Sequence, residues 1–179
     1  MDRPTYSCII GIDAGASGGI AVWRDGEPTK VYKMPKNLSD LRPLIQHFKG
    51  LYSTVVFLEK IQLRPDDMYS PGKVFRVQRM LQDFQKLKDM VEVEEVPLIQ
   101  VHPMTWQSYL NLRIKGKEEK KDRKNRYKKA AESYYPECKA TLWSADALLI
   151  MHFGRKKLSY DVKWILENSP KQQTSKFTF

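Results

Sequence analysis

The sequence predicts an α/β domain, and three observations carry that expectation. The first is the stretch CIIGIDAGASGGIAVW, residues 8–23, where two apolar runs flank a turn containing Gly15, Gly18 and Gly19. Two such runs joined by glycines read as a β-hairpin. The second is TVVFLE, residues 54–59, a short β-branched and apolar run of the buried-strand type. The third is the alternation of such runs with segments of helical periodicity through the rest of the chain.

In order, Cys8, Ile9, Ile10 and Ile12, broken only by Gly11, make a first strand that ends in Asp13. Residues 20–23 return as a second strand, and residues 29–34 add a third, closing a meander. Ser39 offers an N-cap with Pro43 in the first turn, and Leu41, Leu44, Ile45 and Phe48 recur at helical spacing up to Gly50. The strand of residues 54–59 follows and ends in Glu59. KIQLRPDDMYSPG, residues 60–72, is predicted as a loop by its prolines and glycine. From Val74 onward, Val77, Leu81, Phe84, Leu87 and Val91 mark a long amphipathic helix, with Arg76, Arg79, Lys86 and Lys88 elsewhere on its surface. PLIQV, residues 97–101, is another buried strand, and a short helix with Pro103 and Trp106 runs on to Leu112. The basic run KGKEEKKDRKNRYKK, residues 115–129, begins as a loop at Gly116 and continues as a helix to Pro136. In SADALLIMHFG, residues 144–154, Ser144 is the expected N-cap and Asp146 lies in the first turn. Leu149, Ile150 and Phe153 share its apolar face, and Gly154 is the expected stop. Residues 1–157 are thus the expected domain. Residues 158–179 are a polar, partly flexible tail in which Trp164, Ile165 and Leu166 make one more packed turn.

A chain of 179 residues with 41% hydrophobic content suits one well-packed domain. No apolar run approaches the roughly 18 residues that span a membrane, and no secretory leader is visible. Lys and Arg outnumber Asp and Glu by 31 to 21, and the net charge of +10 points to a polyanionic partner. Cys8 and Cys138 are far apart and lack C-x-x-C spacing, which fits a reduced intracellular compartment.

Three carboxylates stand out by context. Asp13 and Glu59 each end a strand, and Asp146 opens a helix. If the strands are parallel neighbours, their ends are adjacent at the edge where such sheets bind ligands. A helix crossing that edge brings Asp146 to the same point. Acids so placed repel one another unless divalent cations neutralise them. Oxygen-only ligation suits Mg2+ or Mn2+, and a pair of ions about 4 Å apart is the usual arrangement for in-line phosphodiester hydrolysis. Three unrelated capping acids are the plainer alternative. His47, His102 and His152 lack metal-ligand spacing and read as structural or exposed. Beside a +10 charge the basic run reads as a phosphate contact rather than a merely solvated face. Tyr69, Phe75 and Trp106 are candidates to stack on bases, with core packing the competing reading for Phe75 and Trp106.

GIDAG at the first strand, LEKIQ at the second acid and SADALLIMHFG near the end resemble the RuvC-type Holliday junction resolvases, within the RNase H-like nucleases. The bacteriophage and organellar branches pair a P-x-x-W segment after a strand with a basic K-x-R run opening a helix, and close on an ADALLIA-YGR-like helix. Here these are residues 103–106, 124–126 and 145–155, and the resemblance covers about residues 7–157. It implies an RNase H-like fold: a mixed five-stranded sheet, an antiparallel meander plus parallel strands, flanked by helices. It also implies a homodimer that hydrolyses phosphodiester bonds in four-way DNA junctions, with Mg2+ or Mn2+, two ions per site, and no small-molecule cofactor. By position, Asp13, Glu59 and Asp146 are metal ligands and Lys124 is a basic catalytic residue. Gln62 sits beside the second acid. Arg76, Arg79, Lys120, Lys121, Arg123 and Arg126 are the expected DNA contacts. The cytoplasm or nucleoid of a bacterium or phage-infected cell, or an organelle, is the expected setting.

The chain departs from the family pattern at two places. Most members carry a fourth acid or a histidine three to five residues before the final acid, where this chain has Thr141, Leu142 and Trp143. A substrate oxygen, a water held by Ser144, or Glu137 is then left to complete the metal shell. The glycine-rich start of the long helix is also altered, with Val77, Gln78, Met80 and Gln82 after Phe75, although Arg79 remains. Two further classes therefore stand beside junction cleavage: an RNase H-like nuclease for hybrids or other branched nucleic acids, and an inactive junction-binding protein. A sugar-kinase or actin-like ATPase opens with a similar hairpin but needs two such domains.

Overall fold

The computed structural model describes residues 6–15, 17–61, 71–114, 116–160 and 167, without the side chains of Pro71 and Tyr160. Its sheet is β1 (Cys8–Ile12), β2 (Gly19–Arg24), β3 (Glu27–Lys33), β4 (Thr54–Glu59) and β5 (Leu98–Val101), in the order β3-β2-β1-β4-β5. β1 pairs antiparallel with β2, and β2 with β3, whereas β1–β4 and β4–β5 are parallel. All five residues of β1 are buried. A central strand covered on both faces has no wet side, which is why its sequence is continuously apolar.

Two cores result. On one face Ile10, Ile12, Val56 and Leu58 meet Ile45 and Phe48 of α1 (Arg42–Leu51) and Leu87 and Val91 of α2 (Pro71–Val93). On the other, Ile9, Val55 and Phe57 meet α3 (Pro103–Tyr109), α4 (Lys120–Tyr134) and α5 (Ala145–Tyr160) through Trp106, Tyr127, Ala131 and Phe153. A β-carbon on Gly11 would lie 2.5 Å from the Met151 amide nitrogen and 2.6 Å from the Ala147 oxygen. Only glycine lets α5 seat so closely on β1.

That seating changes the expectation for α5. Residues 144–154 are all buried, so the helix has no single apolar face. Gly154 does not stop it either. A β-carbon there would lie 2.6 Å from the Phe57 ring, so this glycine serves helix–sheet contact, and α5 continues to Tyr160. Other boundaries move for local reasons. Asn37, not Ser39, caps: its side-chain oxygen accepts from the Ser39 amide at 3.3 Å and opens a short 3-10 turn (Leu38–Leu41) before α1. α3 ends before Leu112, where Asn111 takes a left-handed φ of 56°.

α2 begins at Pro71 rather than Val74, because proline is tolerated in a first turn that needs no donor. Its predicted stripe divides. Val77, Leu87 and Val91 are buried, while Val74 and Leu81 are exposed and Phe75 is 73% exposed, so Phe75 is not a core residue. Gln62 and Tyr69 lie outside the described residues, as does the chain after Tyr160 except Glu167, with Trp164, Ile165 and Leu166 in it. Among the described residues no helix is long and apolar enough to cross a membrane.

Candidate metal and nucleic-acid site

β1 and β4 run parallel in register, with Ile12 opposite Leu58. The next residue on each strand is a carboxylate, so Asp13 and Glu59 emerge side by side. α5 crosses β1 at Gly11 through Ala147 and Met151, and Asp146 immediately precedes Ala147. The third acid therefore meets the same end of the sheet.

Each acid is tethered differently. The Asp13 Oδ1 accepts from the Gly15 amide at 3.2 Å, and the Glu59 Oε1 accepts from the Trp106 indole Nε1 at 2.9 Å. Lys124 Nζ donates to Asp146 Oδ2 at 2.6 Å. The other oxygen of Asp146, Oδ1, is buried and has no hydrogen-bond partner among the described residues. Burial raises the Asp13 carboxyl above its usual range and the Asp146 charge raises it further, against the Gly15 amide and Lys124. Glu59 is pushed up to about 8, first by burial and then by Asp13; the Trp106 hydrogen bond and Lys124 oppose that. The cluster holds more negative charge than its surroundings neutralise.

Among the described residues no group of three or more carboxylate, imidazole or thiol side chains is placed so that it could hold a metal ion as it stands. The donor set nevertheless fits a hard divalent cation. It offers carboxylate oxygens and no soft ligand, one of them an orphan buried oxygen, and burial together with the neighbouring acids raises the carboxyls of Asp13 and Glu59. Glu137 lies exposed on a 3-10 turn (Pro136–Cys138) and is not among the charges acting on Asp13 or Glu59. The Ser144 hydroxyl turns back to Thr141, accepting from its amide at 2.9 Å, and so fixes the turn before α5 instead of capping its first amides.

α4 delivers Lys124 because Tyr127 and Ala131, one and two turns on, are buried against the α5 core. Of the other predicted contacts, Lys120 and Lys121 are exposed on the first turn of α4 and Arg123 is half-buried. Arg76 and Arg79 are exposed on α2. Arg126 has another task. Its guanidinium takes both oxygens of Glu118, at 2.6 and 2.8 Å, and the Leu112 carbonyl, so it ties the segment before α4 to that helix. A cation so engaged has little left for a phosphate.

Trp106 is the residue that the sequence reading undervalued. It is fully buried, and it also orients Glu59. The signal was available: a buried indole N–H needs an acceptor. His47 and His102 are exposed. His152 is buried, 2.9 Å from the Tyr135 hydroxyl and stacked on Tyr134 at 4.0 Å between centroids.

A mixed five-stranded sheet in this order with helices on both faces is the RNase H-like fold. Two solved structures of RuvC from Thermus thermophilus share it. One, of RuvC in complex with a Holliday junction substrate, has a TM-score of 0.54 at 14% identity, covering 85% of this chain and 94% of that one. The other has a TM-score of 0.54 at 13% identity, covering 90% and 98%. No family model matches the sequence, and no curated protein matches it.

Proposed function

We propose that this chain is a metal-dependent, structure-selective endodeoxyribonuclease that cleaves four-way DNA junctions by phosphodiester hydrolysis. The observation that carries the reading is the meeting of Asp13, Glu59 and Asp146 at one sheet end, short of positive charge, with Lys124 on Asp146. The RuvC-type fold and the +10 net charge support it.

Asp13, Glu59 and Asp146 would hold Mg2+ or Mn2+, which supplies Lewis acidity at the scissile phosphate and readies a water for attack. The chain's own contribution is placement. Gly15 fixes one oxygen of Asp13 and Trp106 one of Glu59, so the remaining oxygens have set directions. Lys124 holds Asp146 while the site is free of cations, and its ammonium is then at hand for negative charge developing on the phosphoryl and leaving oxygens. Fixed cations aimed at such charge lower a barrier by a few kcal/mol. Lys120, Lys121 and Arg123 track the backbone on this side, and Arg76 and Arg79 do so from α2. Two symmetric cuts need two sites, so the working form is a C2 homodimer built on the exposed first half of α2, with Val74, Phe75 and Leu81.

The test is a panel of a synthetic four-way junction, an RNA–DNA hybrid and plain duplex, each with Mg2+, Mn2+ or EDTA. Cleavage confined to the junction and lost in EDTA is the expected result. Preferential cutting of the hybrid, or tight junction binding with no cutting under any ion, would overturn the proposal.

A further inference from the structure

The flank of the acids opposite Glu59 carries a second pair of side chains. In the sheet order β3-β2-β1-β4-β5, Glu59 lies to one side of Asp13 and Gly19 to the other. The Asp13 amide donates to the Gly19 carbonyl at 3.1 Å. A β-carbon at Gly19 would lie 2.9 Å from Trp143 Cε3 and 3.0 Å from the Trp143 carbonyl oxygen. The tryptophan thus rests on the same residue that anchors Asp13, and the Thr141–Ser144 hydrogen bonds fix the turn carrying it. Lys33 faces Gly19 across the β2–β3 register, and its ammonium sits 5.8 Å from the centroid of the Trp143 ring.

Exposure decides what this pair is for. Trp143 is only partly covered, and its neighbour Leu142 is 51% exposed, although the residues that follow, 144–154, are all buried. Lys33 is exposed at the end of the edge strand, and among the described residues it pairs with no carboxylate, whereas Lys124 is held by Asp146. An aromatic ring and an unspent cation beside a set of acids match the chemistry of a nucleotide, which has a flat or apolar part and an anionic one. We propose that Trp143 and Lys33 form a nucleotide subsite flanking the scissile position, Lys33 taking the next backbone phosphate and Trp143 packing on the adjoining sugar or base. The proposal rests on the nuclease reading above and adds a residue pair to it.

The test is the affinity of a labelled four-way junction, measured by anisotropy across a salt series without divalent cation. Lys33→Gln is expected to reduce the slope of log K against log salt by about 0.9, the share of one phosphate on B-DNA. Trp143→Ala is expected to weaken binding about tenfold, as loss of one stacked base does, and Trp143→Phe to stay within about threefold of wild type. Lys33 is exposed, so its variant folds even if Trp143→Ala does not, and an unchanged slope in Lys33→Gln overturns the proposal by itself. A Trp143→Ala protein that folds and binds like wild type does so too, leaving the ring as packing on Gly19. If the wild-type protein binds no nucleic acid at all, the nuclease reading falls and takes this inference with it.

Discussion

The two ends of the central sheet treat buried charge in opposite ways. Where β1 starts, Arg24 of β2 lies opposite Cys8 and is 6% exposed. Its guanidinium meets Glu27 in an ion pair and lies 5.7 and 6.0 Å from the centroids of Phe48 and Tyr52. The Tyr52 hydroxyl donates to Glu27 at 2.6 Å. One cation there meets one anion and two rings, so its charge is matched even though Arg24 Nε and Nη2 are buried with no hydrogen-bond partner among the described residues. Where β1 ends, the Asp146 charge raises Asp13 and both raise Glu59, and Lys124 is the only cation among the charges shifting those two. A matched set of charges holds a fold together. An unmatched one destabilises it until a ligand supplies the missing charge, which is why such clusters mark sites.

The comparison breaks most visibly at Asp13. Asp13→Asn is expected to lower junction cleavage by on the order of 10^3-fold or more, because the amide keeps the shape and loses the charge that holds a cation. The same change should raise the melting temperature of the metal-free protein, since it removes a like charge from a buried cluster. A lower melting temperature would mean that Asp13 is a capping acid. Next in size is Trp106→Phe, which keeps the ring in the core and frees Glu59. Half-maximal cleavage should then need roughly tenfold more Mg2+, as when a residue orienting a metal ligand is lost. An unchanged Mg2+ requirement would reduce Trp106 to packing.

At the opposite end the prediction inverts. Glu27→Gln leaves Arg24 without its counter-charge and should cost about 1–2 kcal/mol in urea unfolding, while cleavage per folded molecule stays at the wild-type rate. The smallest effect concerns His152, packed between Tyr134 at the end of α4, Tyr135 just after it, and its own helix, α5. Burial holds its imidazole down at about 4, and the Lys156 and Arg155 charges add to that. A free imidazole titrates near 6.5. Its neutral form thus contributes stability fully above about pH 6.5, and the contribution is lost as pH falls toward 4, because the unfolded chain takes a proton that the folded one refuses. Urea midpoints at pH 7 and pH 5 should fall further apart in wild type than in His152→Gln; an equal drop would show that His152 does not titrate in that window.

Much of this was legible before any coordinate. The strands β1 and β4 announce themselves as apolar runs closed by a carboxylate, while their parallel pairing was only a condition of the reading until the register of Ile12 on Leu58 supplied it. What the sequence could not show was whether a residue packs, points or pairs. Gly154 looks like a helix stop until the Phe57 ring is found against it. Arg126 reads as one more cation in a basic run, and only the fold brings Glu118 and Leu112 to it. Phe75 reads as core packing or a base stack, yet it stands 73% exposed near the start of α2 while Val77 beside it is buried. Such misses share a cause: periodicity reports which face a residue is on and says nothing of what stands opposite.

The central claim is that the acid end of the sheet awaits a cation. Its most direct test is the melting temperature of the protein titrated with Mn2+ or Mg2+, wild type beside Asp13→Asn, with no DNA present. An ion bound only by the folded state at about a hundred times its Kd adds about 2.7 kcal/mol, or roughly 5–10 °C for a chain of this size. That rise is expected in wild type, and its loss is expected in Asp13→Asn. An equal rise in both proteins, or none in wild type, would contradict that claim.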